Sequence, residues 1–370
     1  MQEVTKIPRE LINRITYFCH PSTLYCWSLV SAACLPEAQT YLYRDITFAS
    51  HWNELPSSQF NRRLDWRRVT LFLASIRQNP QLARLIRELT LDLAEGSWPA
   101  HLWVKFLNEI PAMTNLVRFR YICPHAIINN NPTLERLLRG TTTKLRELEI
   151  YIDSAIDHDY FAYFLSHQED LKILSLRCSW DLPVLQPDSC PRLEALTTWS
   201  RRCMEAILPE RPVVKLCWDL TRPSYWPPDD YDSIDHLISS QLSQALSKIR
   251  ILILQDIVQD HGGLLPIAPH LPALEVLELE KHSEANVEGV LKLANLQIFV
   301  MRQKINLEHQ RALGQRCFST LTALRLLFFG SAHQDCFSRW GQGVEEPINV
   351  SYAEITPFLE VENLPGRQIQ

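Results

Sequence analysis

Leu145-Arg146-Glu147-Leu148-Glu149-Ile150, Leu171-Lys172-Ile173-Leu174-Ser175-Leu176 and Leu274-Glu275-Val276-Leu277-Glu278-Leu279 are three copies of one phrase. An apolar residue, two variable residues and a second apolar residue are followed by one variable and a third apolar residue. The last two apolar positions have the spacing of a strand with one buried face, because successive side chains of a strand point to opposite sides. One copy means nothing, since any core strand produces it. The chain carries ten, starting at Ile86, Leu116, Leu145, Leu171, Leu193, Val213, Ile249, Leu274, Leu296 and Leu321. Successive starts lie 30, 29, 26, 22, 20, 36, 25, 22 and 25 residues apart. Repetition at about 20–29 residues stacks parallel strands over a shared core.

Several stretches between phrases carry apolar residues at helical spacing: Trp66 to Gln78, Ala100 to Ile110, Asp159 to Ser166, Ile234 to Leu246 and Ala285 to Leu293. Strand and helix in alternation predict a right-handed α/β solenoid over residues 85–356. The array resembles leucine-rich repeats, with one departure. Three residues after the last strand position, where asparagine is common, stand Ala94, Pro124, Asp153, Ser179, Arg201, Thr221, Ile257, His282, Lys304 and Phe329. Without a ladder of amides at that turn, irregular repeats are expected.

Variable positions beside the strand leucines are expected to line an open concave face, the usual binding face of a solenoid. Arg118, Arg120, Trp180, Trp199, Arg201, Arg202 and Trp218 stand there, with Glu278 and Arg302 further along. The longest interval holds a proline-rich insertion, Arg222 to Asp232. Its Tyr225 and Trp226 are candidate target anchors, because aromatic residues dominate interface hot spots. The alternative is plain solvation, the simpler reading for the insertion loop and an equal one for the strand-face residues.

Upstream of the array, Pro8 suits a first helical turn, and Leu11, Ile12 and Ile15 make one apolar face. His20-Pro21-Ser22 breaks that helix, and Leu24, Trp27 and Val30 mark a second, with Leu29 beside them. After Leu35-Pro36, a third carries Ala38, Leu42 and Tyr43, and Ile46 and Phe48 alternate as a first strand does. Three helices in about 40 residues bury too little surface for strong independent stability, so a partner or neighbouring domain is expected to cover them.

Ile7-Pro8-Arg9-Glu10-Leu11-Ile12, Leu24-x-x-Trp27-Ser28-Leu29-Val30-Ser31 and Ala38-x-x-x-Leu42-Tyr43-Arg44-Asp45-Ile46 resemble, in order, the opening, middle and ending of the F-box motif. Two departures stand in the middle. Ser31-Ala32-Ala33-Cys34 replaces the usual basic and aromatic run, and Trp27 sits a turn early. F-box modules bind the Skp adaptor of cullin–RING ubiquitin ligases. The resemblance implies a substrate-recognition adaptor of a Skp–cullin–F-box ligase, whose repeats bind a target protein. Ile7, Pro8, Leu11, Ile12, Ile15, Leu24, Leu29 and Val30 then carry over as adaptor-contacting or module-core positions. The alternative is a leucine-rich-repeat scaffold with an N-terminal helical cap and no ligase role. The expected division is a helical module at 1–48, a connecting helix at 49–84, the solenoid at 85–356 and a tail at 357–370.

Composition argues against several other classes. A net charge of −5 gives no general attraction to nucleic acid or anionic membranes. Only 10 of 370 residues are glycine, and phosphate-cradling loops need glycine for close backbone approach. Ten cysteines are scattered with no CxxC pair, so no metal site or other cofactor is expected. Met1-Gln2-Glu3-Val4-Thr5-Lys6 leads into no apolar run of signal-peptide type, and no run approaches the ~20 residues of a membrane span. A cytoplasmic or nuclear chain with reduced thiols is expected. Arg62 to Arg68 reads as the start of an amphipathic helix, and Asp157-His158-Asp159 as a helix cap. No GxSxG, HExxH, GxxxxGK[ST] or GxGxxG motif occurs, and no residue is assigned a catalytic role.

Overall fold

The computed structural model describes residues 9–30, 34–49, 66–92, 100–123, 136–138, 144–152, 158–178, 182, 185–219, 238–255, 263–331, 335–344 and 346–363. The chain divides into two compact units, Met1–Leu171 and Lys172–Gln370.

The first unit opens with α1 (Arg9–Phe18), α2 (Pro21–Val30) and α3 (Leu35–Leu42). Proline in the first turn of α3 lacks only an N–H that has no helical partner there. Leu24, Ala38 and Thr16 are buried among these helices. β1 (Asp45–Ala49) follows and pairs in parallel with β2 (Glu88–Asp92), β2 with β3 (Arg118–Cys123), and β3 with β4 (Glu147–Ile152). Ile46, Leu89, Phe119 and Leu148 stand in register, as do Phe48, Leu91, Tyr121 and Ile150. Tyr43-x-x-Ile46-x-Phe48 is therefore a further copy of the phrase, one repeat before the expected start.

Helices back the inward columns. Phe48 lies edge-on to Phe72 at 5.2 Å and to Phe106 at 6.3 Å. These rings belong to α4 (Trp66–Gln78) and α6 (Ala100–Glu109), with α5 (Pro80–Ala83) between them in sequence. α7 (His158–Ser166) follows β4. Gln168, buried after α7, accepts the Leu145 backbone N–H at 2.9 Å.

In the second unit seven strands run parallel: β5 (Ile173–Cys178), β6 (Ala195–Thr198), β7 (Lys215–Asp219), β8 (Ile251–Gln255), β9 (Val276–Leu279), β10 (Ile298–Met301) and β11 (Leu326–Ser331). Leu174, Leu196, Leu216, Leu252, Leu277, Phe299 and Leu327 form one inward column. The last copy is thus Leu324-x-x-Leu327-x-Phe329, three residues after the expected Leu321 start. Leu321 is instead the residue that closes a helix, and its side chain is buried.

The helices between these strands start in one way. Ser200, Ser239, Ser283 and Asn306 accept a backbone N–H from Cys203, Leu242, Asn286 and His309. They cap α8 (Arg201–Ile207), α9 (Ser240–Leu246), α10 (Glu284–Val290) and α11 (Leu307–Thr320). Each cap satisfies a donor that a helix start leaves open. Buried polar groups do some of the work of the missing asparagine ladder. Asn286 accepts from Leu264 N–H and donates to the Lys281 carbonyl. Arg211, 3% exposed, donates to the carbonyls of Gln186, Ser189, Ile207 and Pro209. Gly289 brings α10 against Leu264, where a Cβ would sit 2.8 Å from backbone atoms.

The chain then reverses. β12 (Cys336–Gly341) pairs antiparallel with β11, and β13 (Ile348–Val350) pairs antiparallel with β12. One turn of helix, α12 (Tyr352–Ile355), leads to 3-10 turns at Thr356–Leu359 and Val361–Asn363. The expected tail therefore begins in ordered structure that buries Leu359 and Val361. Each unit is a stack of parallel strands backed by helices, of leucine-rich-repeat type.

Candidate interaction surfaces

Three surfaces follow from this architecture. The first is on the N-terminal helices. Leu24 points into the helical core, but Leu11 (50% exposed), Ile15, Tyr17, Phe18, Tyr25 and Leu29 (70%) do not. Leu11, Ile15 and Phe18, with Arg14 and Cys19, line a shallow groove along α1. Of the expected adaptor-contacting residues, Ile7 and Pro8 lie outside the described residues, as do the side chains of Ile12 and Val30.

The second surface is the strand face of the first unit. Burial alternates strictly along β2 and β3, so every second residue is open. Arg118 donates to both Glu147 oxygens, at 2.5 and 2.8 Å, and to Glu88 at 2.7 Å. Hydrogen bonding to Glu147 raises the guanidinium pKa further. Arg120 pairs with Glu149 at 2.9 Å. Next to this row, burial and the nearby Glu88 raise the Asp45 carboxyl above its ordinary value. The face is a lattice of ion pairs running across strands, built on Arg118 and Arg120.

The third surface is the strand face of the second unit: β5 keeps an open position at Ile173, but over β8–β11 the expected open face is covered. β9 and β10 are buried at every position, and β8 at its first four. Ile251, Ile253, Val276, Ile298, Val300 and Phe328 form an apolar sheet face covered by Phe337, Val350, Ile355, Leu359 and Val361. Glu278 is 1% exposed and ion-paired to Arg302. The Tyr352 hydroxyl joins them, at 3.2 Å from Glu278 and accepting from Arg302 at 2.5 Å. The Arg302 guanidinium lies 5.1 Å from the centre of the Tyr352 ring. Burial raises the Glu278 carboxyl, against the pull of Arg302. Burial, then Glu278, raises the Tyr352 phenol to about 12. Sequence reasoning placed Glu278 and Arg302 on an exposed face and missed Tyr352.

Trp218 also needs correction as a target-binding residue. It occupies the inward sixth position of its phrase, between Thr198 and Leu254, and is 3% exposed. Its packing position decides its role, and its aromatic identity does not. Trp199 is half-buried after β6, while Arg201 and Arg202 begin α8 and do not stand on a strand. Trp180, Tyr225 and Trp226 lie outside the described residues, as do Asp157 and residues 62–65. Among the described residues, no cluster of His, Cys, Asp or Glu is arranged to hold a metal ion. Among them, too, no helix is long and apolar enough to cross a membrane.

No protein-family model matches the chain, and no curated protein matches it. Among solved structures, the crystal structure of the TLR13–ssRNA13 complex is similar to it, at 14% identity and a TM-score of 0.34 over 68% of this chain. The chain spans about a third, 34%, of the length of that structure's chain.

Proposed function

We propose that this chain is a substrate-recognition adaptor of a Skp–cullin–F-box ubiquitin ligase, without covalent chemistry of its own. The observation that carries the reading is the apolar surface left open on α1 and α2, at Leu11, Ile15, Phe18, Tyr25 and Leu29. Soluble helices do not ordinarily leave large apolar residues grouped in water, and such patches mark interaction sites. The ordered resemblance to the F-box motif names the Skp adaptor as the partner. The ion-pair lattice around Arg118 and Arg120 is the candidate target face. Holding a target beside the transfer machinery raises the effective concentration of its lysines, and that proximity is the mechanism. The setting is the cytoplasm or nucleus.

A second reading has its own observation. Only two residues separate α3 from β1, the Arg44 carbonyl accepts from Arg87 and Glu88, and Tyr43 stacks on Phe72 at 6.5 Å. This continuity suits a helical cap on a leucine-rich-repeat scaffold. Co-expression of the full chain with a Skp adaptor, followed by size exclusion, separates the two. The parent is expected to form a 1:1 complex that a Leu11→Ser, Ile15→Ser, Leu29→Ser variant loses while keeping its circular dichroism. A folded parent that ignores the adaptor leaves the cap reading standing.

A further inference from the structure

The last described residues of the chain lie where a bound peptide would lie. The sheet face beneath them is built by paired parallel strands of the second unit. The residues over it form only short elements: a three-residue strand, one helical turn and two 3-10 turns. Their hold comes from spaced anchors. Val350, Ile355, Leu359 and Val361 are buried in the shared core, and the Phe358 ring approaches Phe328 at 6.1 Å. Between the anchors, Ala353, Glu354, Pro357 and Glu360 are exposed. Anchors interspersed with solvated residues are how a peptide occupies a groove.

A polar clasp fixes the register. Tyr352 reaches Glu278 and Arg302 with its hydroxyl, stacks on Phe337 at 5.6 Å, and donates its backbone N–H to Asp335 at 2.6 Å. The clasp is an imperfect adhesive. Oε2 of Glu278 is buried with no hydrogen-bond partner among the described residues. A buried ion pair offsets much of its attraction with desolvation, and selects one arrangement more than it strengthens it. At the N-terminal side the ladder to β12 spans three positions, Ile348, Asn349 and Val350. Gly343, with φ +76 and open space around its Cα, lies in the exposed turn that leads from β12.

We infer that residues 346–363 are a displaceable strap, a peptide docked in cis that opens as a unit while β5–β11 remain folded. The strap keeps every other peptide off this apolar strand face until it leaves. What the freed face accepts is defined by the strap itself: a segment that enters as a short strand and continues in helical turns, with aliphatic residues at the spacing of Val350, Ile355 and Leu359 and a phenol between the first two. The inference stands whether or not the N-terminal helices bind a Skp adaptor.

Native-state hydrogen exchange of the full chain, resolved by fragment at rising denaturant, tests it. The amides of 348–361 are expected to open at least ten times more often than those of β8, β9 and β10. Tyr352→Phe, which removes one hydroxyl and no carbon, is expected to raise exchange several-fold in the strap and leave those strands unchanged. A fluorescein-labelled peptide of residues 346–363 is expected to bind the Tyr352→Phe chain more tightly than the parent. One opening rate shared by strap and strands in both proteins overturns the inference, making the segment a fixed layer of the fold. A peptide that gains no affinity from the substitution overturns it as well.

Discussion

Phe328→Ala separates a covered strand face from an open one. Phe328 stands on β11, opposite Val300 in the parallel register and Arg339 in the antiparallel one, and is 1% exposed. On an open concave face its loss is a surface change, within about 0.5 kcal/mol. In a packed core, Phe→Ala removes the transfer free energy of the ring and leaves a cavity, about 3–5 kcal/mol together. For a unit of this size, about 2–4 °C of Tm accompanies each kcal/mol, so a fall of roughly 6–20 °C is expected. Phe299→Ala, on the other face of the neighbouring strand and fully buried, serves as the reference for a full core loss. The assay is urea unfolding of both variants and the parent, with hydrogen exchange assigning the transition to residues 172–363. Phe328→Ala is expected to cost about as much as Phe299→Ala, with an unchanged denaturant slope. A loss below about 1 kcal/mol, beside a full loss for Phe299→Ala, refutes the covered face.

Arg211→Ala leaves four carbonyls without their shared donor, and is expected to cost at least ~3 kcal/mol in denaturant unfolding; Arg211→Lys rescues little, because a point-like ammonium cannot reproduce the planar fork. Burial raises the Glu278 carboxyl above its ordinary value, so the fold takes up that proton first and stability falls as pH rises from about 4.5 through the raised value. Glu278→Gln lacks this titration, so its stability relative to the parent is expected to climb across that window and then level off; parallel pH curves contradict the assignment. Arg118→Ala removes only exposed ion pairs and is expected to cost about 0–1 kcal/mol, so a loss of target binding in this variant reports recognition and not unfolding. Thermal denaturation beside a pull-down with the target checks both halves.

The strand columns were legible because a period of two is a strong constraint. Leu89, Phe119 and Leu148 cannot shift by one residue without turning every core side chain to water. The last copy was misplaced because Leu321, Leu324 and Leu327 recur at a spacing of three, so two registers fit the same phrase; only pairing with Phe299 chooses between them. The covered face was also written in the sequence. Ile251-Leu252-Ile253-Leu254 and Ile298-Phe299-Val300-Met301 have no polar alternation, the pattern of strands buried on both sides. A search for apolar residues at alternate positions does not register that the positions between are apolar too. The covering segment was harder to see. Val350, Ile355, Leu359 and Val361 follow neither a helical nor a strand period, because their spacing answers to the groove and not to an element of their own. Trp218 misled for a related reason: an aromatic residue at an inward position looks the same in sequence as one at an interface.

The unequal strand faces of the two units constrain where a target meets this chain. In the first unit a partner replaces only water and exposed ion pairs. Over β8–β11 of the second it must exchange places with the strap, and contacts of the same chemistry gain little when one apolar segment substitutes for another. Apparent affinity also falls by the fraction of open molecules, so a strap open about 1% of the time weakens a competing segment about 100-fold. Recognition on the β8–β10 face therefore requires a segment that matches the strap's anchors and also improves on its clasp, by satisfying the buried Glu278 oxygen that Tyr352 leaves unpaired. A segment without that donor is expected to bind away from the β8–β10 face, for which the Arg118 face is the candidate.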